Sequence, residues 1–211
     1  MNINYKNQKG ATLIVALVVL TIVTLLGVAG IRGTALDMKM IAGARDKALA
    51  FEAAETTLSI VENELKVNPP TLANITAGFS KDCSSADAAN KGKCFTGQIA
   101  EPADPYRTCS TYDSAADKTQ LWERKDTWST NHRIEDVKLA DDSTISTKYI
   151  VEFMCFTLKD RKLLGKVDDR ETGDENIIYM PLFRITAIAE GVGKRARVAA
   201  QTTVRVNLKG A

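Results

Sequence analysis

Residues 11–31 read ATLIVALVVLTIVTLLGVAGI, 21 positions without a charge or a proline. Wound as an α-helix, such a stretch rises about 31 Å, the thickness of a bilayer's hydrocarbon core. Thirteen of the 21 residues are Leu, Ile or Val. Each contributes roughly −0.3 to −0.6 kcal/mol near a helix centre on an insertion scale. Length separates a membrane span from its two competitors. The buried helix of a soluble core seldom carries an uncharged run of this size. A cleaved secretory signal has an apolar region of about 7–15 residues, although Lys6 and Lys9 would supply its basic flank and Gly27-Val28-Ala29 a small-x-small site. The stretch is expected to be a transmembrane segment.

Beyond it, helical periodicity continues. Ile41, Ala44, Ala48, Phe51, Leu58, Val61 and Leu65 recur at steps of three and four, with Ala54 filling the gap, and predict one apolar stripe. Glu52, Glu55, Ser59, Glu62 and Lys66 lie largely off it, and Glu62 precedes Lys66 by four residues, the favourable order for a helical ion pair. Gly27, Gly30, Gly33 and Gly43 mark places for a bend or a close helix–helix approach. Asn68-Pro69-Pro70 is the stop, since proline disfavours helix at the residue before it and donates no ladder bond. The pattern predicts one helix over 11–68, about 85 Å long, apolar all round in its first half and amphipathic in its second.

Outside this helix the chain of 211 residues has room for one domain. Its 28 basic and 26 acidic side chains are too evenly balanced for the electrostatic footprint of a nucleic-acid binder. A composition 45% hydrophobic and 26% charged argues against global disorder.

Lys9-Gly10-Ala11-Thr12-Leu13-Ile14-Val15 resembles the type III signal of type IV prepilins, in which a short basic leader ends in Gly and is cut there by a prepilin peptidase. Arg45-Asp46 followed by Ala48-Leu49-Ala50-Phe51-Glu52-Ala53-Ala54-Glu55 is similar to the segment of PilX-type minor pilins, and Phe183-Arg184-Ile185-Thr186-Ala187 with Val198-Ala199-Ala200-Gln201 looks like the last hairpin of that group. The resemblance implies a leader over 1–10 with processing at Gly10 and Ala11, methylation of the new N-terminus, and a membrane and filament helix presenting Leu13, Ile14, Val15, Leu17, Leu20 and Leu25. It implies as partners the prepilin peptidase, other minor pilins and the major pilin, the pilus assembly platform, a tip adhesin, and inner-membrane lipid before assembly, with no nucleic acid and no cofactor. The implied location is the bacterial inner membrane as a single-pass protein with a periplasmic head, then the extracellular pilus.

One position departs from the pilin pattern: the fifth residue after the cut is usually Glu and here is Val15. An unpaired charge at a helix centre costs about 2.5–3.5 kcal/mol on the insertion scale, so Val suits a subunit that enters a filament with no earlier neighbour to pair with. The expected function is that of a minor pilin priming the filament and sitting in a tip complex. Two alternatives stand beside it: a minor pseudopilin at the tip of a type II secretion pseudopilus, and, from another class, an exported single-span enzyme or sensor. The positive-inside rule does not choose an orientation, because Lys6 and Lys9 on one side face Arg32, Lys39, Arg45 and Lys47 on the other. An exported head rests on the resemblance and on the cysteines.

Cys83, Cys94, Cys109 and Cys155 all lie beyond the helix without C-x-x-C spacing, and His132 is the sole histidine, so a zinc site is a poor fit. An even count in an exported head reads as two disulfides, for which four cysteines admit three connectivities. Cys83 with Cys94 is preferred because it closes a short polar loop, SSADAANKGK, and leaves Cys109 to meet Cys155.

The head over 69–211 reads α+β: a pilin-like fold in which the long N-terminal helix packs on an antiparallel sheet. Residues 71–146 are turn-rich, with Trp122 and Trp128 as pins onto the core. Residues 149–158, YIVEFMCFTL, are strand-like and apolar on both faces, hence central in the sheet. Residues 182–190 and 195–208 flank Gly191-Val192-Gly193-Lys194 and form a hairpin, the second strand with Ala196, Val198, Ala200, Val204 and Val206 on one face and Arg195, Arg197, Gln201 and Arg205 on the other. That turn is no phosphate loop, since Ile188 stands where a glycine is required. The run DDRETGDE over 168–175 lacks the alternating ligands of an EF-hand and reads as a solvated loop rather than a calcium site. One histidine is a thin supply of general bases, and no catalytic set emerges.

Overall fold

The computed structural model describes residues 11–80, 82–95, 120–158 and 179–209. The leader with Gly10, Cys109 and the acidic run at 168–175 lie outside them. The element order is helix α1 (Ala11–Val67), helix α2 (Leu72–Gly78), strand β1 (Lys93–Phe95), a 3-10 turn (Leu121–Glu123), helix α3 (Lys125–Ser129), and strands β2 (Arg133–Lys138), β3 (Thr144–Leu158), β4 (Tyr179–Glu190) and β5 (Arg197–Arg205). By its contacts the chain divides into two compact units, Met1–Arg45 and Asp46–Ala211.

The first unit is helical over its described part. In the second, residues 46–67 of α1 lie with the sheet. Helix α1 ends at Val67, immediately before Asn68-Pro69-Pro70, and the expected ion pair forms, Lys66 Nζ to Glu62 Oε1 at 2.6 Å. Thr71 caps α2 by accepting from the Asn74 amide at 3.1 Å.

The sheet has five strands in the order β1-β3-β4-β5, with β2 also paired to β3. β3 is central, as its two-sided apolar pattern predicts. It runs antiparallel to β2 and β4, whereas the short β1 joins it in parallel. β3 starts at Thr144, five residues before the expected Tyr149, because β2 zips against Thr144 through Tyr149 and draws those residues into the ladder.

Alternation sorts β3 cleanly. Ile145, Tyr149, Val151 and Phe153 join Phe183, Ile185, Ala187 and Ala189 of β4, and Val204 and Val206, in one core with α1. A register shift between Phe153 and Cys155 is a bulge, and it lets Phe156 face the same side as Phe153. Phe153 becomes an aromatic hub, its ring centroid 5.1 Å from Phe156, 5.5 Å from Phe95 and 5.7 Å from Phe183. On the opposite face Ile150 and Ile188 meet Cys83, Cys94, Leu121 and Trp128, with Trp122 packed alongside.

The apolar stripe of α1 matches the expectation in its C-terminal part, where Ala54, Leu58 and Val61 are buried and Leu65 packs against the core. Before it the face differs: Ile41, Ala44, Ala48 and Phe51 are exposed, and Asp46, Ala50, Ala53 and Thr57 are buried. The reason is size. Three alanines with no exposed surface let the helix backbone approach the sheet closely, and Thr57 can be buried because its hydroxyl donates to the Ala53 carbonyl at 2.9 Å. Over residues 41–51 the apolar pattern therefore selects the exposed side of the helix.

Candidate functional site

Three features of the described residues can carry function or set the geometry that does. The first is the apolar segment of α1. Thr12–Gly30 is long and apolar enough to cross a membrane, and none of it is buried within the chain. Leu13, Ile14, Val15, Leu17, Leu20 and Leu25 are each 60–71% exposed. Two of its threonines turn their hydroxyls back onto the helix, Thr21 donating to the Val18 carbonyl at 2.8 Å and Thr24 to that of Thr21 at 2.9 Å. At Gly27 and Gly30 a Cβ would meet nothing within 4 Å, so the chain's own fold does not require glycine there.

The second is a latch at the start of the head unit. Asp46 is 5% exposed, and its carboxylate accepts three backbone amides from the β4–β5 turn: Gly193 to Oδ1 at 2.6 Å, Arg195 to Oδ2 at 2.7 Å and Ala196 to Oδ2 at 3.2 Å. The turn is a concave nest of amides closed on an anion. Its chemistry demands glycine at one place, since a Cβ on Gly191 would stand 2.4 Å from Asp46 Cγ and 2.5 Å from its carbonyl oxygen. Lys194 adopts a φ of 53°, the left-handed conformation that swings the next two amides toward the carboxylate. The Gly193 amide, against the opposing effect of burial and helped by the Arg195 and Ala196 amides and the Arg195 charge, holds the Asp46 carboxyl below its ordinary 3.8.

The third is a buried ion pair. Glu152 of β3 and Arg184 of β4 are cross-strand partners. The Glu152 side chain is fully buried and Arg184 is 13% exposed, and they meet in a bidentate fork, Nε to Oε2 at 2.6 Å and Nη2 to Oε1 at 2.9 Å. Gln120 adds a longer contact to the same guanidinium at 3.4 Å.

Cys83 and Cys94 are joined in a disulfide. Cys155 is also disulfide-bonded. Trp128 is buried and donates from Nε1 to the Trp122 carbonyl at 2.7 Å, while Lys148 donates to the Trp128 carbonyl at 3.0 Å, so the two tryptophans fasten the α3 region to the sheet. His132 has a buried Nδ1 without a partner, and burial first, then the Lys148 charge, pushes its pKa below the usual imidazole value. It stands outside any nucleophile or metal grouping, and no cluster of His, Cys, Asp and Glu able to hold a metal occurs among the described residues.

The candidates read from the sequence thus fall into separate places: the exposed row from Leu13 to Leu25 in the first unit, and the described cysteines in the second. Sequence reasoning assigned no role to Asp46, Glu152 or Arg184. For Asp46 and Arg184 a signal existed, because both stand inside the short segments that carry the family resemblance.

Residues 9–58 match the family model described as PilX N-terminal, and over that stretch the chain is similar to PilX-type minor pilins of type IV pili. No curated protein and no solved structure matches the chain.

Proposed function

From a PilX-type segment over residues 9–58, we propose that this chain is a minor pilin that takes part in priming a type IV pilus and sits in a complex with other minor pilins at the filament tip. The observation that carries the reading is the apolar row of Thr12–Gly30, none of it buried by the chain itself. A surface of that size needs a partner. Lipid supplies it before assembly, and the similar helices of neighbouring subunits supply it in a filament. The exchange is close to neutral in hydrophobic terms, because lipid tails and aliphatic side chains are equally apolar and the choice falls to packing. Gly27 and Gly30, with open space about them, are where a neighbouring helix can come close. PilX-type segments belong to structural pilus components, and the head is read here as a binding module.

Before entry the peptidase is taken to cut between Gly10 and Ala11, which removes Lys6 and Lys9 and leaves an amine at the head of the helix. Val15, 61% exposed, spares the first subunit of a filament an unpaired carboxylate in the membrane. The test is immunogold labelling of sheared pili with antibodies to the head, paired with the intact mass of the membrane-extracted protein. Label at single filament ends and a mature chain beginning at Ala11 are expected. Regular label along the shaft would refute the tip position, and a mature N-terminus near Gly30 would refute the pilin reading altogether.

A further inference from the structure

The sheet ends on β5, and no hydrogen bond from the far side of that strand occurs among the described residues. The register shows which groups are left over. The Gly191 amide donates to the Ala196 carbonyl at 3.0 Å and the Val206 amide to the Pro181 carbonyl at 3.3 Å, so the even-numbered residues of β5 exchange bonds with β4. In an antiparallel ladder the alternate residues then turn their amides and carbonyls away from the partner strand. Among the described residues, Arg197, Ala199, Gln201, Thr203 and Arg205 therefore present a row of backbone groups without a partner, and all five are exposed.

We propose that the outer edge of β5 is a docking edge that takes an extended, acidic segment of a different protein chain as an added strand. This goes beyond the pilus reading, since it concerns the head's sheet alone and does not depend on where the subunit sits in a filament. The backbone row supplies affinity in such an addition, and the side chains on the ladder select the partner. Here they are basic at both ends, Arg197 and Arg205, with Arg195 just before the strand and Gln201 between, its amide held by the Thr186 hydroxyl at 2.9 Å. Glu190, opposite Arg197 on β4, is the one carboxylate on the neighbouring stretch of ladder from Leu182 to Glu190. The balance favours carboxylates on the incoming strand.

The same residues disfavour a second copy of this chain. An antiparallel pair of β5 strands centred on Gln201 sets Arg197 of each against Arg205 of the other, and like charges directly opposite are destabilising. Centring on Thr203 sets Arg197 against Lys209. Charged side chains along an edge are a common protection against self-association, and arginines give that protection while leaving the edge open to an acidic strand.

The test uses the full chain in detergent micelles and a short synthetic peptide of alternating Glu and Thr, with amide exchange followed residue by residue by NMR. At a peptide concentration about ten times its Kd, the amides of residues 197, 199, 201, 203 and 205, which face away from β4, should exchange about tenfold more slowly. Ala199→Pro removes an outward amide and no bond to β4, so it should abolish the effect while the tryptophan-monitored melting curve stays close to wild type. Arg197→Glu with Arg205→Glu should transfer the slowing to a Lys and Thr peptide, which gives an independent reading should the proline variant fail to fold. Absence of slowing with millimolar Glu peptide, equal slowing by the Glu and Lys peptides on the wild-type chain, or slowing that grows with protein concentration alone would overturn the proposal, the last by showing self-pairing.

Discussion

Replacing Arg184 by Met should cost about 3–5 kcal/mol of head stability, because it strands a carboxylate that no water reaches. The magnitude follows from the geometry. Glu152 is fully buried, both its oxygens are engaged by Arg184, and the next contact of the pair, Gln120, reaches the guanidinium and not the carboxylate. Loss of the cation therefore removes two charge-assisted bonds at once and offers nothing in return. In a unit the size of Asp46–Ala211, this corresponds to a fall in Tm of roughly 6–20 °C. The pair is nevertheless not expected to be a large net source of stability, since desolvating both ions offsets most of their attraction. The double variant Glu152→Met, Arg184→Met should accordingly recover most of the loss, and a double-mutant cycle should return a coupling of several kcal/mol. Urea unfolding of the full chain in micelles reads all four proteins through Trp122 and Trp128, which report on the same face of the sheet. A loss below about 1 kcal/mol for the single variant, the range of a solvated surface pair, or a double variant as unstable as the single one, would refute the reasoning.

Two further outcomes follow from the other contacts. The Cys83–Cys94 bond closes a loop with a sequence separation of 11, worth about 3 kcal/mol in the chain-entropy account; Cys83→Ala with Cys94→Ala should lose about that much in urea unfolding, and thiol titration of the denatured, unreduced wild type should find no free thiol. Asp46, its carboxyl held below 3.8 by the turn amides, contributes stability that is fully present above its unfolded value and is lost as pH falls through the lower folded one; melting curves between pH 7 and about pH 2 should show Asp46→Asn less stable than wild type at neutral pH and the difference shrinking in the acid range, and a difference that stays constant with pH would count against the latch.

The parts of the fold legible in the sequence are those where one residue type carries one instruction. Asn68-Pro69-Pro70 ends α1 because proline admits no alternative, and the apolar run over 11–31 declares itself by length. β3 was placed at the centre by YIVEFMCFTL, and it is flanked on both sides. The hairpin was legible from two alternating strands about a glycine turn. What the pattern missed was relational. Thr144 to Lys148, with Ile145 as their one apolar side chain, are too short a signal to extend the strand by themselves and become strand through pairing with β2. The stripe Ala54, Leu58, Val61 was legible, but ahead of it the buried face of α1 is set by Ala50 and Ala53, which look weakly apolar in a scan and pack closely against a sheet.

The same distinction explains the latch. Asp46 sits in a helix, where an acidic residue ordinarily points to water, and its partners stand 147 to 150 residues away on the chain. All three are backbone amides, which have no residue identity to read. Only the glycines betray the arrangement: Gly191 must lack a Cβ because Asp46 occupies that space, and Gly193 would bring one to 3.2 Å from the carboxylate. A hairpin turn alone explains one glycine easily, but not the need for open space on the side from which a helix approaches. The carboxylate thus ties the first residue of the head unit to the turn from which β5 departs, and with it the direction of the sheet's open edge. A helix with one buried aspartate, and a hairpin with one glycine more than its turn requires, are two halves of a single contact.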